Sequence, residues 1–419
     1  MLKRLLVLFL LVSQSVFGQL DQVRAWTKTL CSPEMHGRGY VAGGDSLAAN
    51  FLASEYQKIG LVPIPGQSNM LQAFQFPVNT FPTEMSVRLD GKEMVPGQDF
   101  IVDPASGSFK GKLNFVALNA TQIYQTENLN TLLFEHKEKY MNALVADLSG
   151  AKGDSLKIIK ARLKNWASSI TVVELYSAKF TWSVAQDAFR FPYLFLRDSL
   201  WQNQSVEIDI QNKLIPNHLA NNVLAYLPAK KKTKKTIFFS AHYDHLGQMG
   251  SSTYFPGAND NASGSAILLS LASYFKKKPA KYNIVFAAFA GEEAGLLGSR
   301  YYVNHPIIPL SDMRFLMNLD IMGSGEEGIT VVNATLFPKE FKQLQKINKQ
   351  AKLLQVVKSR GPAANSDHYF FSEKGVPAFF IYTMGPNKHY HDIYDTYEAL
   401  SFAEYSDLTE LLKRFVKKL

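Results

Sequence analysis

The sequence predicts an α/β protein: a mainly parallel, doubly wound mixed sheet flanked by helices, with a β-rich inserted module. Two patterns carry this reading. From Asn221 onward, apolar runs and amphipathic segments alternate, as they do where helices cover both faces of a sheet. Between about Thr83 and Ile215 the texture changes to short strand-like runs.

The elements follow in order. Leu47, Phe51, Leu52, Tyr56 and Ile59 recur at helical spacing over Ser46 to Ile59, and Gly60 is a natural stop. The intervening stretch offers strands at Met85 to Leu89, Leu113 to Leu118, Ala143 to Leu148, Ile170 to Leu175 and Val206 to Ile210, with Asp90-Gly91 as a hairpin turn. Val223 to Leu227 and Thr236 to Ser240 read as strands, and Ser263 to Phe275 as a helix. Tyr282 to Ala290 is almost continuously apolar, the mark of a strand buried on both faces. A helix over Ala294 to Val303 and strands at Phe315 to Leu319 and Ala378 to Tyr382 follow. The last helix is expected to open with a capping box, Ser401 and Glu404, and to bury Phe402, Tyr405, Leu408, Leu412 and Phe415. The expected organisation is a signal segment over 1–18, an amino-terminal part over 19–82, the inserted module over 83–215 and a catalytic domain over 216–419.

Composition narrows the class. Lys3 and Arg4 precede an apolar run, Leu5 to Val12, and small or turn-forming residues around Ser15 to Gly18 place cleavage before Gln19. That run is short for a bilayer span, so no stable membrane insertion is expected after its removal. The chain is expected to be exported, to the periplasm or the medium. A single cysteine, Cys31, excludes an internal disulfide framework. The net charge is +9, but the Lys and Arg residues are scattered, so no nucleic-acid partner is expected. The basic run Lys230 to Lys235 reads as a solvated loop.

The most informative segment is 286–298, FAAFAGEEAGLLG. An apolar run ends at Gly291, Glu292 and Glu293 follow, and a helical pattern begins. Open α/β sheets place their sites at such carboxyl ends of strands. Two adjacent carboxylates there can divide the work, one binding a metal and the other moving a proton. Glu-Glu is also an ordinary helix start that complements the macrodipole. The context decides between the two readings. His242, Asp260, Asp320 and His391 also fall at strand ends or in the loops after them. With a Glu they form two histidines and three carboxylates, a set that suits a pair of divalent ions such as zinc.

Six segments then carry a resemblance: His242-Tyr-Asp244, Gly257-Ala-Asn-Asp260-Asn-Ala-Ser-Gly264, Gly291-Glu292-Glu293-Ala-Gly, Asn318-Leu-Asp320, Ser366-Asp367-His368 and Tyr390-His391 with Asp395-Thr396. Together with His36-Gly-Arg38-Gly, they make the chain similar to the co-catalytic di-zinc aminopeptidases, a family that also holds glutamate carboxypeptidases, glutaminyl cyclases and receptor-type domains. The resemblance implies two zinc ions per chain. His242, Asp260, Glu293, Asp320 and His391 would hold them, Asp260 bridging. It implies that Asp244 orients His242, that Glu292 is the general base toward a metal-bridging water, and that Tyr390 helps hold the oxyanion. Asp367 and His368 gain no ligand role from it. The inserted module sits where several members carry a protease-associated module. The implied activity is a zinc-dependent exopeptidase, an aminopeptidase acting on peptides. A glutaminyl cyclase, a carboxypeptidase using Arg300, Arg314 or Arg360 for the substrate carboxylate, and a non-catalytic binding protein stay open.

Overall fold

The computed structural model describes residues 18–135 and 140–419. Apart from Gly18, the expected signal segment lies outside the described residues. Among the described residues, a nine-stranded mixed sheet forms the centre. Its main strands are β1 (Leu71–Thr80), β2 (Lys213–Leu227), β3 (Thr236–His242), β4 (Asn283–Phe289), β5 (Met313–Leu319), β6 (Gly328–Val332), β7 (Val357–Ser359) and β8 (Ala378–Met384). The order across the sheet is Val62–Pro63, β2, β4, β3, β5, β8, β6, β7, with β1 also paired to β2.

The heart of the sheet, β4-β3-β5-β8, is parallel throughout. Its flanks are antiparallel: β2 runs against β4 and β6 against β8. Every residue of β3 and β4 is buried, which explains their unbroken apolar character. The strand period of two divides their side chains between two cores. Ile237, Phe239 and Ala241 face one core, shared with the helices Gly44–Ile59, Gly264–Lys277 and Tyr405–Lys418. Phe238, Val285, Ala287 and Phe289 face the other, with Tyr302 and Phe371 from the helices Leu297–Asn304 and His368–Glu373.

The chain between β1 and β2 builds two further sheets. One has four strands, including the Ser86–Leu89 and Lys92–Glu93 hairpin, where Asp90 and Gly91 both take positive φ (47° and 79°). The other has five strands, and its core run Phe115–Asn119, Ala143–Asp147, Thr171–Tyr176 and Tyr193–Arg197 is parallel. Parallel strands need crossovers, and helices supply the first two of the three. Ala120–Gln125, Leu129–Glu135 and Gly153–Trp166 therefore make this stretch more helical than its short strand-like runs suggest.

Two expectations are corrected. The last helix starts at Tyr405 and has no capping box. A box at Ser401 needs helical backbone at Phe402, but Phe402 sits at φ 51° with a buried ring, its N–H bonded to the Gly323 carbonyl. Burial of that ring overrides the local cap; the Ser401 hydroxyl accepts from the Ala403 N–H instead. The helix expected from Ala294 starts at Leu297. Gly295 and Leu296 both take positive φ and close a turn first.

Candidate metal centre

Four neighbouring parallel strands end at one edge of the sheet, and each delivers a chemical residue there. β3 ends on His242. The turn after β4 carries Glu292 and Glu293, and Asp320 directly follows β5. The loop after β8 carries His391. Asp260 comes from the loop between β3 and the next helix. Gly257 opens that loop at φ 56°, with its α-carbon against the His245 ring and the Asp260 carbonyl, where a Cβ would collide.

Asp260 is the hinge of the geometry. Its Oδ1 stands 3.2 Å from His242 Nε2, which is also 3.2 Å from Asp320 Oδ1. Its Oδ2 stands 3.1 Å from His391 Nε2, which is also 3.2 Å from Glu293 Oε2. One carboxylate thus faces two triads, one oxygen to each. A ring nitrogen of His242 and carboxylate oxygens of Glu292 and Glu293 also lie within 4.8 Å of one another.

Hydrogen bonds fix the direction of each donor. His242 Nδ1 lies 3.1 Å from the Asp244 carbonyl and His391 Nδ1 lies 3.0 Å from the Trp182 carbonyl. A carbonyl only accepts, so both rings carry a proton on Nδ1 and turn Nε2 into the site. The Asp244 carboxylate, expected to orient His242, lies 3.9 Å from that ring. It accepts instead from Tyr40 Oη–H at 2.8 Å and from the Glu292 and Glu293 N–H groups at 3.2 and 3.3 Å. Asp244 therefore reaches His242 chiefly through its main chain, and its carboxylate shapes the Glu-Glu turn.

Asp320 is held by a relay. The Ser240 hydroxyl donates to Asn318, Asn318 to Ser366, and Ser366 to Asp320 Oδ2, at 2.7–2.8 Å each. Oδ1 is left to face His242. Glu293 is held by His245, whose Nδ1 lies 2.7 Å from Oε1. Asp395 accepts from the N–H groups of Asn259 and Asp260, fixing the backbone around the shared carboxylate. Arg38 is fully buried, and its five N–H donors meet five carbonyls, those of Leu30, Tyr243, Pro256, Gly257 and Asp260. These supports were not read from the sequence as such. His245 stands three residues after His242 and Asp395 lies in a segment singled out for its pattern, but neither residue type alone signals support.

The electrostatics call for positive charge. Burial pushes Glu292 well above the ordinary carboxylate range; the His242 charge opposes this, and Glu293 and Asp320 reinforce it. Burial likewise raises Asp244 to about 6 and Asp367 to about 7. His391 is held up at about 11, against burial, by Glu293 and Asp260. His391 Nε2 has no hydrogen-bond partner although two carboxylate oxygens stand within 3.2 Å. A divalent cation that displaced the Nε2 proton would meet an imidazole lone pair and carboxylate oxygens in a buried acidic pocket, and a mixed N/O donor set suits zinc. Tyr390 stacks on His391, with ring centroids 3.9 Å apart. Asp367 and His368 are buried beside the site without ligand geometry.

A sheet whose parallel centre ends in paired His/carboxylate triads is an α/β fold with a candidate divalent-metal site at its carboxyl edge. Residues 222–416 match the model of peptidase family M28. The match covers slightly less than half of the chain, over the segment that carries the candidate site. The chain is 26% identical over 337 residues to aminopeptidase YwaD of Bacillus subtilis, covering 75% of this chain and 69% of YwaD. It is 34% identical over 112 residues to a probable zinc metalloprotease of Leptosphaeria maculans, covering 26% of each chain. Among solved structures, the zinc aminopeptidase BSAP of Bacillus subtilis superposes with a TM-score of 0.66 at 17% identity, covering 95% of this chain and 94% of that one. An aminopeptidase of Aneurinibacillus sp. strain AM-1 gives 0.61 at 16%, covering 94% and 92%. At such identities these structures speak for the fold.

Proposed function

We propose that the protein is a zinc-dependent aminopeptidase that removes amino-terminal residues from peptides, with two zinc ions per chain. The observation that carries the two-ion reading is the Asp260 carboxylate, with one oxygen toward His242 and Asp320 and the other toward His391 and Glu293. In this reading His242, Asp260 and Asp320 would hold one ion, and Asp260, Glu293 and His391 would hold the other. When bound, zinc supplies Lewis acidity toward a peptide carbonyl and toward water. Glu292 stands beside the ligands and is the general base. It takes a proton from the attacking water and returns it to the leaving amine. Tyr390 flanks His391 from a half-exposed position and is assigned to the oxyanion.

The acidic lining supports an amine-terminal substrate, because a carboxyl terminus would meet like charge. Two of the three arginines considered for a carboxypeptidase are engaged away from the site. Arg314 bonds to the Leu419 carbonyl and Arg360 to the Tyr382 hydroxyl. No helix among the described residues is long and apolar enough to cross a membrane. We assign residues 1–18 to a removed export signal and residues 83–215 to an inserted module.

The test uses chain 19–419 loaded with zinc and peptides with free or acetylated amino termini, followed by mass spectrometry. Stepwise loss from free amino termini alone is expected. Trimming from the carboxyl end, pyroglutamate formation, or no reaction would overturn the aminopeptidase reading.

A further inference from the structure

His391 belongs to the loop after β8, but the contacts that hold it come from far away in the sequence. Its backbone sits at φ 54°, a sparsely populated conformation for a residue with a Cβ, and contacts from outside the loop hold it there. The segment 179–182, between the strands Thr171–Tyr176 and Tyr193–Arg197, does so. Trp182 N–H donates to the His391 carbonyl at 2.8 Å, and His391 Nδ1–H donates back to the Trp182 carbonyl at 3.0 Å. Lys179 Nζ donates to the carbonyls of Lys388 and Tyr390 at 2.9 and 3.3 Å and pairs with the Asp392 carboxylate at 2.6 Å. One ammonium thereby uses its three protons on residues flanking His391.

The segment is itself anchored. The Trp182 indole donates to the Val102 carbonyl at 2.8 Å and stacks on Phe255 at 4.8 Å. Phe180 stacks on Tyr176 and lies under the Arg197 guanidinium. Both rings belong to a core with Val87, Val173 and Leu194 from the two outer sheets. The carbonyl that sets the His391 ring is thus tied both to the intervening module and, through Phe255, to the loop after β3.

We infer that Lys179 and Trp182 are positioning residues for His391, so that the module between β1 and β2 completes the metal centre instead of hanging beside it. This rests on the two-ion reading above. Partners of metal-binding histidines fix ring direction, and losing one weakens metal binding by about 10–100-fold. The effect is local: Lys179 does not touch His242 or Asp320, so the ion held by that pair is unaffected.

Lys179 has a side chain 46% exposed, so Lys179→Met removes the clasp without opening the core. Metal-free wild type, Lys179→Met and Lys179→Arg would be titrated with Zn2+ against a chromogenic chelator, and Co2+-loaded samples compared by visible absorption. Wild type is expected to bind two ions. Lys179→Met is expected to keep one step unchanged and weaken the other by about 10-fold or more. Lys179→Arg, which keeps the charge, should recover much of that loss. Two unchanged steps in Lys179→Met, or equal weakening of both, overturn the inference. Failure of wild type to bind two ions overturns the two-ion reading itself and is seen before any variant is compared.

Discussion

At the residue scale, the two adjacent carboxylates of the Glu-Glu turn are set apart by what holds them. Glu293 is fixed by the His245 ring and faces His391 with its second oxygen, whereas Glu292 lies in the same turn with burial raising its proton affinity. This division predicts different losses. Glu292→Gln should keep its zinc by metal analysis and lose turnover by about 10²–10⁴-fold, the usual size of a general-base contribution. Retention of full kcat would remove Glu292 from that role. Asp260→Ala deletes the carboxylate shared by both triads, and zinc content and activity should fall together. Unchanged metal content would refute its bridging position. Residue types at strand ends made these positions legible. The Trp182 carbonyl was not legible, because a main-chain acceptor leaves no mark on residue identity.

At the scale of elements, the parallel strands owe their positions to packing on both faces, and the site depends on their ends staying in register. The helix Tyr405–Lys418 covers one face through Leu408, Leu411, Leu412 and Phe415. The Phe415 ring meets Phe315 of β5 edge-on at 5.5 Å and lies over Phe379 of β8 at 6.1 Å. Phe415→Ala should therefore destabilise the fold by about 3–5 kcal/mol, the usual cost of emptying a buried aromatic position. A urea midpoint indistinguishable from wild type would show that the helix does not brace these strands. Helical spacing made this face readable from Tyr405 onward. The start of the helix was misread because the capping-box pattern is local, while Phe402 is turned inward by a contact with Gly323 far along the chain.

At the scale of the whole molecule, the acidic centre joins the amino-terminal segment, the intervening module and the carboxyl-terminal half. Arg38 bridges Leu30 to the loops at Tyr243 and 256–260, and Lys179 bridges the module to the loop of His391. A cation bound at that junction favours the folded chain by mass action, about 2.7 kcal/mol per site when free zinc is 100-fold above its dissociation constant. Chelation should lower the melting temperature and added zinc should restore it. A melting temperature insensitive to both would mean that the acidic cluster does not bind zinc in the folded protein.

The sequence by itself determined several strands and helices of the carboxyl-terminal half, though not Gly328–Val332, Pro338–Ala351, Val357–Ser359 or His368–Glu373, together with the apolar runs that must be buried and a set of His, Asp and Glu residues at strand ends, because hydrophobic periodicity and residue chemistry are written locally. The tertiary structure decided how those residues are aimed. It set which oxygen of Asp260 faces which histidine, which nitrogen of each ring is free, and which distant segments hold them. For His242 the ring is set by the Asp244 carbonyl two residues on, and for His391 by a left-handed backbone and the Trp182 carbonyl 209 residues away; main-chain acceptors of either kind leave no mark on residue identity.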